Sequence, residues 1–242
     1  MTETMRLDKY LSDMTDGTRK KVKELIKSGR VSVNDETAKK PEQKIELSTD
    51  VVCIDGERLC YTKFYYYMLN KPPGVITSTE EGKTETVMDV LKKGGLSCPV
   101  FSKLSPVGRL DKDTEGLLLI TNDGELNHRL LSPKNHVDKV YFARLDKPIS
   151  KNDIFSFAAG LNLGDFISLP AILKKVNEAG DEVEVTISEG KFHQVKRMFE
   201  AVGKSVVYLK RIKMGGLKLD ETLKSGEVRA LTEEEISLLK KR

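Results

Sequence analysis

The N-terminal quarter of the chain combines two helical patterns of apolar positions with short β-like segments. Apolar side chains recur at the spacing of one helix face in two stretches, residues 7–14 and residues 19–28. Thr18 is a favourable N-cap for the second stretch, and Gly29 is placed to end it. Apolar β-like segments follow at residues 31–33 and 51–54. This pattern predicts a small α/β domain over residues 1–58.

A second and larger domain is predicted over residues 61–242. Apolar or alternating patterns predict strands near residues 65–69, 117–120, 140–145, 182–187 and 206–212. Helical spacing and capping residues predict helices that begin near Thr86, Glu125, Ser150, Val195 and Thr232. Strands and helices follow one another without regular βαβ alternation. We therefore expect an α+β fold, in which helices flank a mixed and mainly antiparallel sheet.

Composition excludes several classes of protein. Hydrophobic residues make up 38% of the chain and charged residues 32%, which is typical of a folded globular protein. No apolar run approaches the roughly 20 residues of a membrane span, and the N-terminus carries no apolar signal segment. Cys53, Cys60 and Cys98 form no CxxC pair. We expect a cytoplasmic protein with reduced thiols and with neither a metal site nor a membrane partner.

Charge is concentrated in one segment. The net charge is only +4, but residues 18–30 hold six basic residues against the single acid Glu24. A local basic patch is typical of phosphate binding, and it is also typical of an ordinary solvated helix face. Charge alone does not decide between these two interpretations.

The densest group of reactive side chains precedes the most apolar predicted strand. The segment GRLDKDTEGLLLITNDG, residues 108–124, places three acids and two bases in a polar loop before four consecutive apolar residues. Loops displayed by a rigid scaffold often carry functional groups. The residues by themselves leave an active site and a solvated turn equally open.

A resemblance separates these alternatives. The segment resembles the catalytic motif of the pseudouridine synthases, in the RsuA-type branch that acts on small-subunit ribosomal RNA. NKPPG at residues 70–74, KVYFARL at 139–145 and SEGKFHQVKRMFEAVG at 188–203 resemble the other family motifs in the same order. The first domain resembles the S4-like RNA-binding domain of a small-subunit ribosomal protein. The resemblance covers nearly the whole chain and implies isomerisation of uridine to pseudouridine.

The resemblance also implies roles for individual residues. Asp111 matches the catalytic aspartate, and Lys196 takes the place of the basic partner that keeps it ionised, where relatives often carry arginine. Tyr141 matches the active-site tyrosine, which offers a flat face to a uridine flipped out of the RNA. Arg109 matches an arginine that helps to expel the base and to hold the backbone. By residue type alone, each of these side chains is more often a strand or surface residue.

Further basic residues are expected to contact RNA phosphates, which position RNA without reading its sequence. They are Arg6, Lys9, Arg19, Lys20, Lys21, Lys23, Arg30, Lys71, Lys191, His193 and Arg197. No cofactor is expected, because the sequence has no phosphate-binding or dinucleotide motif and the isomerisation needs neither ATP nor redox chemistry.

Two alternative functions stay open at this stage. The same chemistry could act on large-subunit rRNA, or the chain could be a non-catalytic RNA-binding factor of ribosome assembly. The expected partner is ribosomal RNA or a partly assembled small subunit, bound by a monomer. The sequence does not identify the target uridine or the oligomeric state. It does not decide whether the substrate is free RNA or a partly assembled particle. It also leaves open whether Asp111 acts as a nucleophile or as a base.

Overall fold

A computed structural model describes residues 3–80 and 82–241. Met1 and Arg242, the outer bounds of the two predicted domains, lie outside the described residues. The chain divides into two compact units, one formed by Met1–Tyr65 with Ser97–Leu104 and one formed by Tyr66–Leu96 with Ser105–Arg242. Within the described ranges, no helix is long and apolar enough to cross a bilayer.

The first unit begins with strand β1 (Thr4–Arg6) and helices α1 (Leu7–Met14) and α2 (Arg19–Lys27). It continues with strands β2 (Val31–Val33), β3 (Glu36–Thr37), β4 (Lys44–Glu46), β5 (Val52–Ile54) and β6 (Glu57–Leu59). β1 pairs with β4, and the other four form a sheet in the order β3-β2-β5-β6. The apolar faces of both helices are buried in one core, as their spacing predicted. Thr18 caps α2 by accepting from the amide of Lys21 at 3.3 Å.

An eight-residue segment distant in sequence belongs to this unit. Ser102 donates from its hydroxyl to Asp16 at 2.8 Å, and the Lys103 ammonium donates to the carbonyls of Ser12 and Thr15. The pattern of apolar residues gave no sign of this excursion, because the segment is held by polar contacts. The domain boundary that the sequence places at residues 58–61 stays a prediction.

The second unit is built on one large sheet. Its strands are β7 (Tyr66–Lys71), β8 (Ser105–Pro106), β9 (Glu115–Thr121), β10 (Lys139–Leu145), β11 (Ile172–Lys175), β12 (Glu182–Ile187), β13 (Val206–Met214), β14 (Leu217–Lys218) and β15 (Val228–Ala230). The main path runs β11-β12-β10-β13-β9-β7-β15, with β8 beside β9 and β14 beside β13. Only the β9–β13 pair among these strands is parallel. The predicted α+β class with a mainly antiparallel mixed sheet is confirmed.

The described part of the second unit contains five α-helices, and three of them begin directly after the predicted start residues Thr86, Ser150 and Thr232. The five are α3 (Val87–Lys93), α4 (Gly124–Leu131), α5 (Lys151–Ala159), α6 (Gln194–Ala201) and α7 (Glu233–Lys240). Thr86, Ser150 and Thr232 each form a capping box with an acid three residues later. The central strands β7 and β9 are buried on both faces, because helices and loops cover the sheet there.

Candidate active site

The acidic loop between β8 and β9 is fixed from beneath by a buried lysine. The Lys71 ammonium, at the end of β7, donates to the carbonyls of Pro72, Lys112 and Thr114 at 2.9, 3.2 and 3.0 Å. Its side chain is fully buried. Burial lowers the pKa of Lys71 to about 8, although nearby carboxylates partly oppose the shift. This corrects the expectation that Lys71 contacts RNA, because its ammonium is enclosed and holds the loop.

A threonine from the segment after β7 fixes the same loop. The Thr77 hydroxyl donates to the carbonyl of Leu110 at 2.9 Å and accepts from the amide of Leu110 at 3.1 Å. The Gly74 amide also donates to the carbonyl of Lys112 at 2.8 Å. Asp111 therefore stands between two anchored positions, and its backbone is positioned before any substrate binds.

The Asp111 carboxylate faces the start of α6. Its side chain is 27% exposed, with His193 Nε2 3.7 Å from Oδ1 and Lys196 Nζ 4.0 Å from Oδ2. Lys196 makes its hydrogen bonds elsewhere, to both oxygens of Asp113 at 2.7 and 2.6 Å. That bond lowers the pKa of Asp113. Lys196, the predicted partner, therefore lies close to Asp111 but makes its hydrogen bonds to Asp113.

A cleft of about 120 Å³ opens beside Asp111. Tyr141, on β10, lines this cleft and is 8% exposed. Arg109 lines it as well and is exposed, and in the described ranges it pairs with no carboxylate. The cleft thus collects Asp111, Tyr141 and Arg109, while Lys196 approaches Asp111 from α6. The roles of these four residues stay predictions.

The turn before α6 carries two aromatic side chains, Phe192 and His193. Phe192 is 76% exposed, and its ring stacks on the His193 imidazole with 3.8 Å between centroids. His193 has a left-handed backbone with φ of 48°, which is uncommon for a residue with a side chain. The buried Gln194 side chain accepts from the Lys191 amide at 2.9 Å and donates to Glu189 at 2.6 Å. This bonding holds the turn that presents the two rings.

Two of the basic residues predicted to bind RNA near α6 are engaged within the protein. Arg197 is ion-paired with Asp165 and donates to the carbonyl of Leu163 at 2.6 Å. The exposed Lys191 has its ammonium 3.7 Å from the centroid of the Phe166 ring. Arg197 is therefore committed to an ion pair within the protein, whereas Lys191 is an exposed residue whose ammonium, among the described contacts, meets only an aromatic ring.

Sequence reasoning missed two buried cations in the cleft. Lys139 and Arg211 line it at 7% and 2% exposure. Arg211 faces Tyr141 across the β10–β13 pair, and Lys139 lies two residues before Tyr141 on the same strand face. An alternating strand that buries a lysine or arginine on its apolar face is a signal that could have found them.

In the first unit, the basic residues of α2 are solvent-facing. Arg19, Lys20, Lys21, Lys23 and Lys27 are all exposed. Arg30 is also exposed but is ion-paired with Asp55, and Arg6 is ion-paired with Asp8 at 2.7 Å. Lys9 is exposed. The helix therefore presents a basic face, and two of the predicted phosphate contacts outside it are already neutralised.

Comparison with known proteins decides the family. The sequence model of RNA pseudouridylate synthases matches residues 65–201, which is more than half of the chain. The chain belongs to the RNA pseudouridine synthase family. The S4 domain model matches residues 5–58 of this synthase. The predicted family, enzyme class and S4-like RNA-binding domain are thereby confirmed.

Relatives resemble the synthase over its full length. An uncharacterized RNA pseudouridine synthase of Bacillus subtilis is 47% identical, with 97% of this chain and 98% of the relative covered. The ribosomal small subunit pseudouridine synthase A of Vibrio cholerae is 43% identical, with 96% and 98% covered. A pseudouridylate synthase of known crystal structure is 37% identical with a TM-score of 0.66, covering 97% of this chain and 99% of that one.

Proposed function

We propose that this synthase isomerises one uridine of small-subunit ribosomal RNA and that Asp111 is its catalytic carboxylate. The observation that carries the proposal is the position of Asp111. Its carboxylate stands on an anchored loop, at the edge of a cleft that Tyr141 lines, with Lys196 and His193 within 4.0 Å. These are the parts that a reaction on an extruded base needs.

The reaction requires the uracil to leave ribose C1′ through N1 and to return through C5. Asp111 can attack C1′ as a nucleophile or remove a proton from C2′ as a base, and both routes use an ionised carboxylate. Lys196, 4.0 Å away, favours that ionised form. Tyr141 provides a flat surface for the extruded ring. The isomerisation conserves all atoms except the exchangeable C5 proton, so it consumes no cofactor.

The exposed Arg109 supports the step that precedes chemistry. Its guanidinium lies at the cleft without a carboxylate partner in the described ranges, so it is available to a phosphate or to the gap that an extruded base leaves. We assign it to holding the RNA backbone open beside the target nucleotide. The exposed Lys191 and the half-exposed His193 flank the same opening.

The small subunit is favoured over the large subunit by the relatives. Several proteins that are 40–43% identical over nearly the whole chain are named ribosomal small subunit pseudouridine synthase A. The exposed basic face of α2 fits a phosphate-binding role for the S4 domain. Free rRNA or a partly assembled small subunit is the proposed substrate, bound by a monomer in the cytoplasm.

Two experiments test the proposal. Wild-type protein should release tritium from rRNA labelled at uridine C5, and Asp111→Asn should abolish release while RNA affinity changes less than about threefold. Normal release by Asp111→Asn would refute the catalytic assignment. Mapping pseudouridines in both rRNAs from strains with and without the gene should show one site missing from small-subunit RNA. A missing site in large-subunit RNA, or no missing site, would refute the proposed substrate.

A further inference from the structure

Arg211 is a buried cation whose donors are mostly unused. Its Nε donates to the carbonyl of Leu117 at 2.8 Å. Its Nη2 is buried and meets no hydrogen-bond partner in the described ranges. The guanidinium lines the same cleft as Asp111, and none of the described carboxylates forms an ion pair with it. A buried charge of this kind is costly unless something negative joins it.

Lys139 adds a second positive charge to the same place. Its ammonium donates to the carbonyl of Val137 at 2.8 Å, and no described carboxylate lies within ion-pairing distance. Burial lowers the pKa of Lys139 to about 8, and the charge of Arg211 contributes to the shift. Asp138 and Glu189 act in the opposite direction without reversing it. Two like charges are thus buried together at a net electrostatic cost.

Such a cost is expected where a site is built to receive negative charge. Fixed donors in a dry cleft stabilise a developing anion far more than water-exposed donors do. In the proposed reaction, negative charge develops on the uracil ring. Tyr141, the predicted stacking residue, is directly opposite Arg211 on the neighbouring strand and two residues after Lys139 on its own strand.

We propose that Arg211, assisted by Lys139, stabilises the negative charge that uracil acquires when its bond to ribose breaks. This inference rests on the proposed function. When the N1–C1′ bond breaks, its electron pair stays on the ring and spreads over N1, O2 and O4. The positive character left on C1′ is satisfied by Asp111 acting as a nucleophile, or is removed by loss of the C2′ proton to it. C5 then supplies the pair that bonds to C1′. In the first route the Asp111–C1′ bond breaks as this bond forms and its pair returns to the carboxylate, and in the second route Asp111 gives the proton back to C2′. C5 afterwards loses its proton to solvent, and N1 takes one up from solvent.

Paired substitutions separate this electrostatic role from a structural one. Arg211→Met and Arg211→Lys both remove the Nε bond to Leu117, but only Arg211→Lys keeps a positive charge. We expect Arg211→Met to lower the single-turnover rate at saturating RNA by at least about 100-fold. Arg211→Lys should recover at least about tenfold of that loss, while RNA affinity stays near the wild-type value in both. Equal rates in the two folded variants would overturn the inference.

Lys139 provides an independent readout through pH. Wild-type kcat should fall about fivefold between pH 8 and pH 9, because the charged fraction of Lys139 falls from about one half to about one tenth. Lys139→Arg should remove this alkaline decline, since a guanidinium stays charged, whereas Lys139→Met should be slow at every pH. Lys71 also titrates near pH 8, so an alkaline decline that persists in Lys139→Arg would assign it to Lys71 and count against the inference.

The outcomes distinguish this inference from the proposed function. Circular dichroism and thermal unfolding establish first that each variant is folded, and the conservative variants supply a comparison if a methionine variant is not. If wild-type protein releases no tritium from rRNA, the proposed function fails. If wild-type protein is active and both Arg211 variants share its rate, only the anion-stabilising role fails.

Discussion

Lys196 donates to both carboxylate oxygens of Asp113, at 2.7 and 2.6 Å, although the predicted partner of this lysine is Asp111. Asp113 is 70% exposed, so the pair stands at the rim of the site. Lys196 is 4.0 Å from Asp111 at the same time. We interpret Asp113 as a positioning residue that keeps the Lys196 ammonium beside the cleft before RNA binds.

Substitutions of these residues should therefore differ in effect. Lys196→Met should lower kcat at least about 100-fold, because the charge beside Asp111 is removed. Asp113→Asn should lower it less than about fivefold, because an exposed ion pair contributes little and Lys196 remains. Tritium release under saturating RNA measures both. If Asp113→Asn were as inactive as Asp111→Asn, the assignment of Asp111 alone would be untenable.

The exposed face of Phe192 should stack on a base beside the target uridine. Phe192→Leu keeps the apolar character but removes the flat ring, and we expect RNA affinity to fall at least about fivefold. Phe192→Tyr should restore it. Phe155→Leu is the matched control, since Phe155 is 71% exposed on α5, none of whose described residues lines the cleft, whereas Phe192 stands between the cleft residues Lys191 and His193. Fluorescence anisotropy with an rRNA fragment measures affinity, and equal loss in both leucine variants would contradict the prediction.

The basic face of α2 should determine part of the salt dependence of RNA binding. Replacing Lys20, Lys21 and Lys23 by glutamine should reduce the slope of log affinity against log salt by about 0.7 to 0.9 for each phosphate that the helix no longer neutralises. The control replaces three exposed lysines of the second unit, namely Lys151, Lys174 and Lys218. A slope that matches wild-type protein would mean that this helix face is only solvated.

The two buried lysines should make the protein more stable in mild alkali. Lys71 and Lys139 have a pKa of about 8 when folded, below the 10.5 of a free lysine. Between these values the unfolded chain binds more protons, so the free energy of unfolding rises with pH. Each lysine contributes up to about 1.4 kcal/mol per pH unit in this window.

Urea unfolding at pH 7.5, 8.5 and 9.5 measures this rise. Lys139→Met should remove about half of it and leave the part that belongs to Lys71. Tyr61 acts in the opposite direction, because its folded pKa is raised to about 12, but it does so mainly above about pH 10, where an unfolded tyrosine loses its proton. A free energy of unfolding that is flat or falls between pH 8 and pH 9.5 would contradict the buried positions of both ammonium groups.

Sequence reasoning predicted much of this molecule where the signal is local. Caps at Thr18, Thr86, Ser150 and Thr232 predicted four helix starts, because a cap acts within three residues. Matching of motifs predicted that Asp111 and Tyr141 share a site. Periodicity alone does not bring residues on distant strands together, so that prediction depended on the resemblance.

The predictions that failed concern the surroundings of charged side chains. Lys71 was expected to face RNA, but three carbonyls enclose it. Lys139 and Arg211 were not predicted at all, because their position on the apolar face of an alternating strand is the one local signal of burial and it is easily missed in a charged residue. The attachment of Ser97–Leu104 to the first unit was also missed, because it depends on a few side-chain bonds to residues more than 80 positions away.

Gly116 joins the acidic loop to the strand that lies beside Arg211. It has φ of +99°, and a Cβ at this position would overlap the carbonyl oxygen of Arg211. The parallel pairing of β9 with β13 is confined to this point, at Glu115 and Gly116. The loop that carries Asp111 and the strand that carries Arg211 are therefore held together where the backbones of Gly116 and Arg211 meet. A designer who wishes to redirect this enzyme to other RNAs must change the rim of the cleft and keep Gly116.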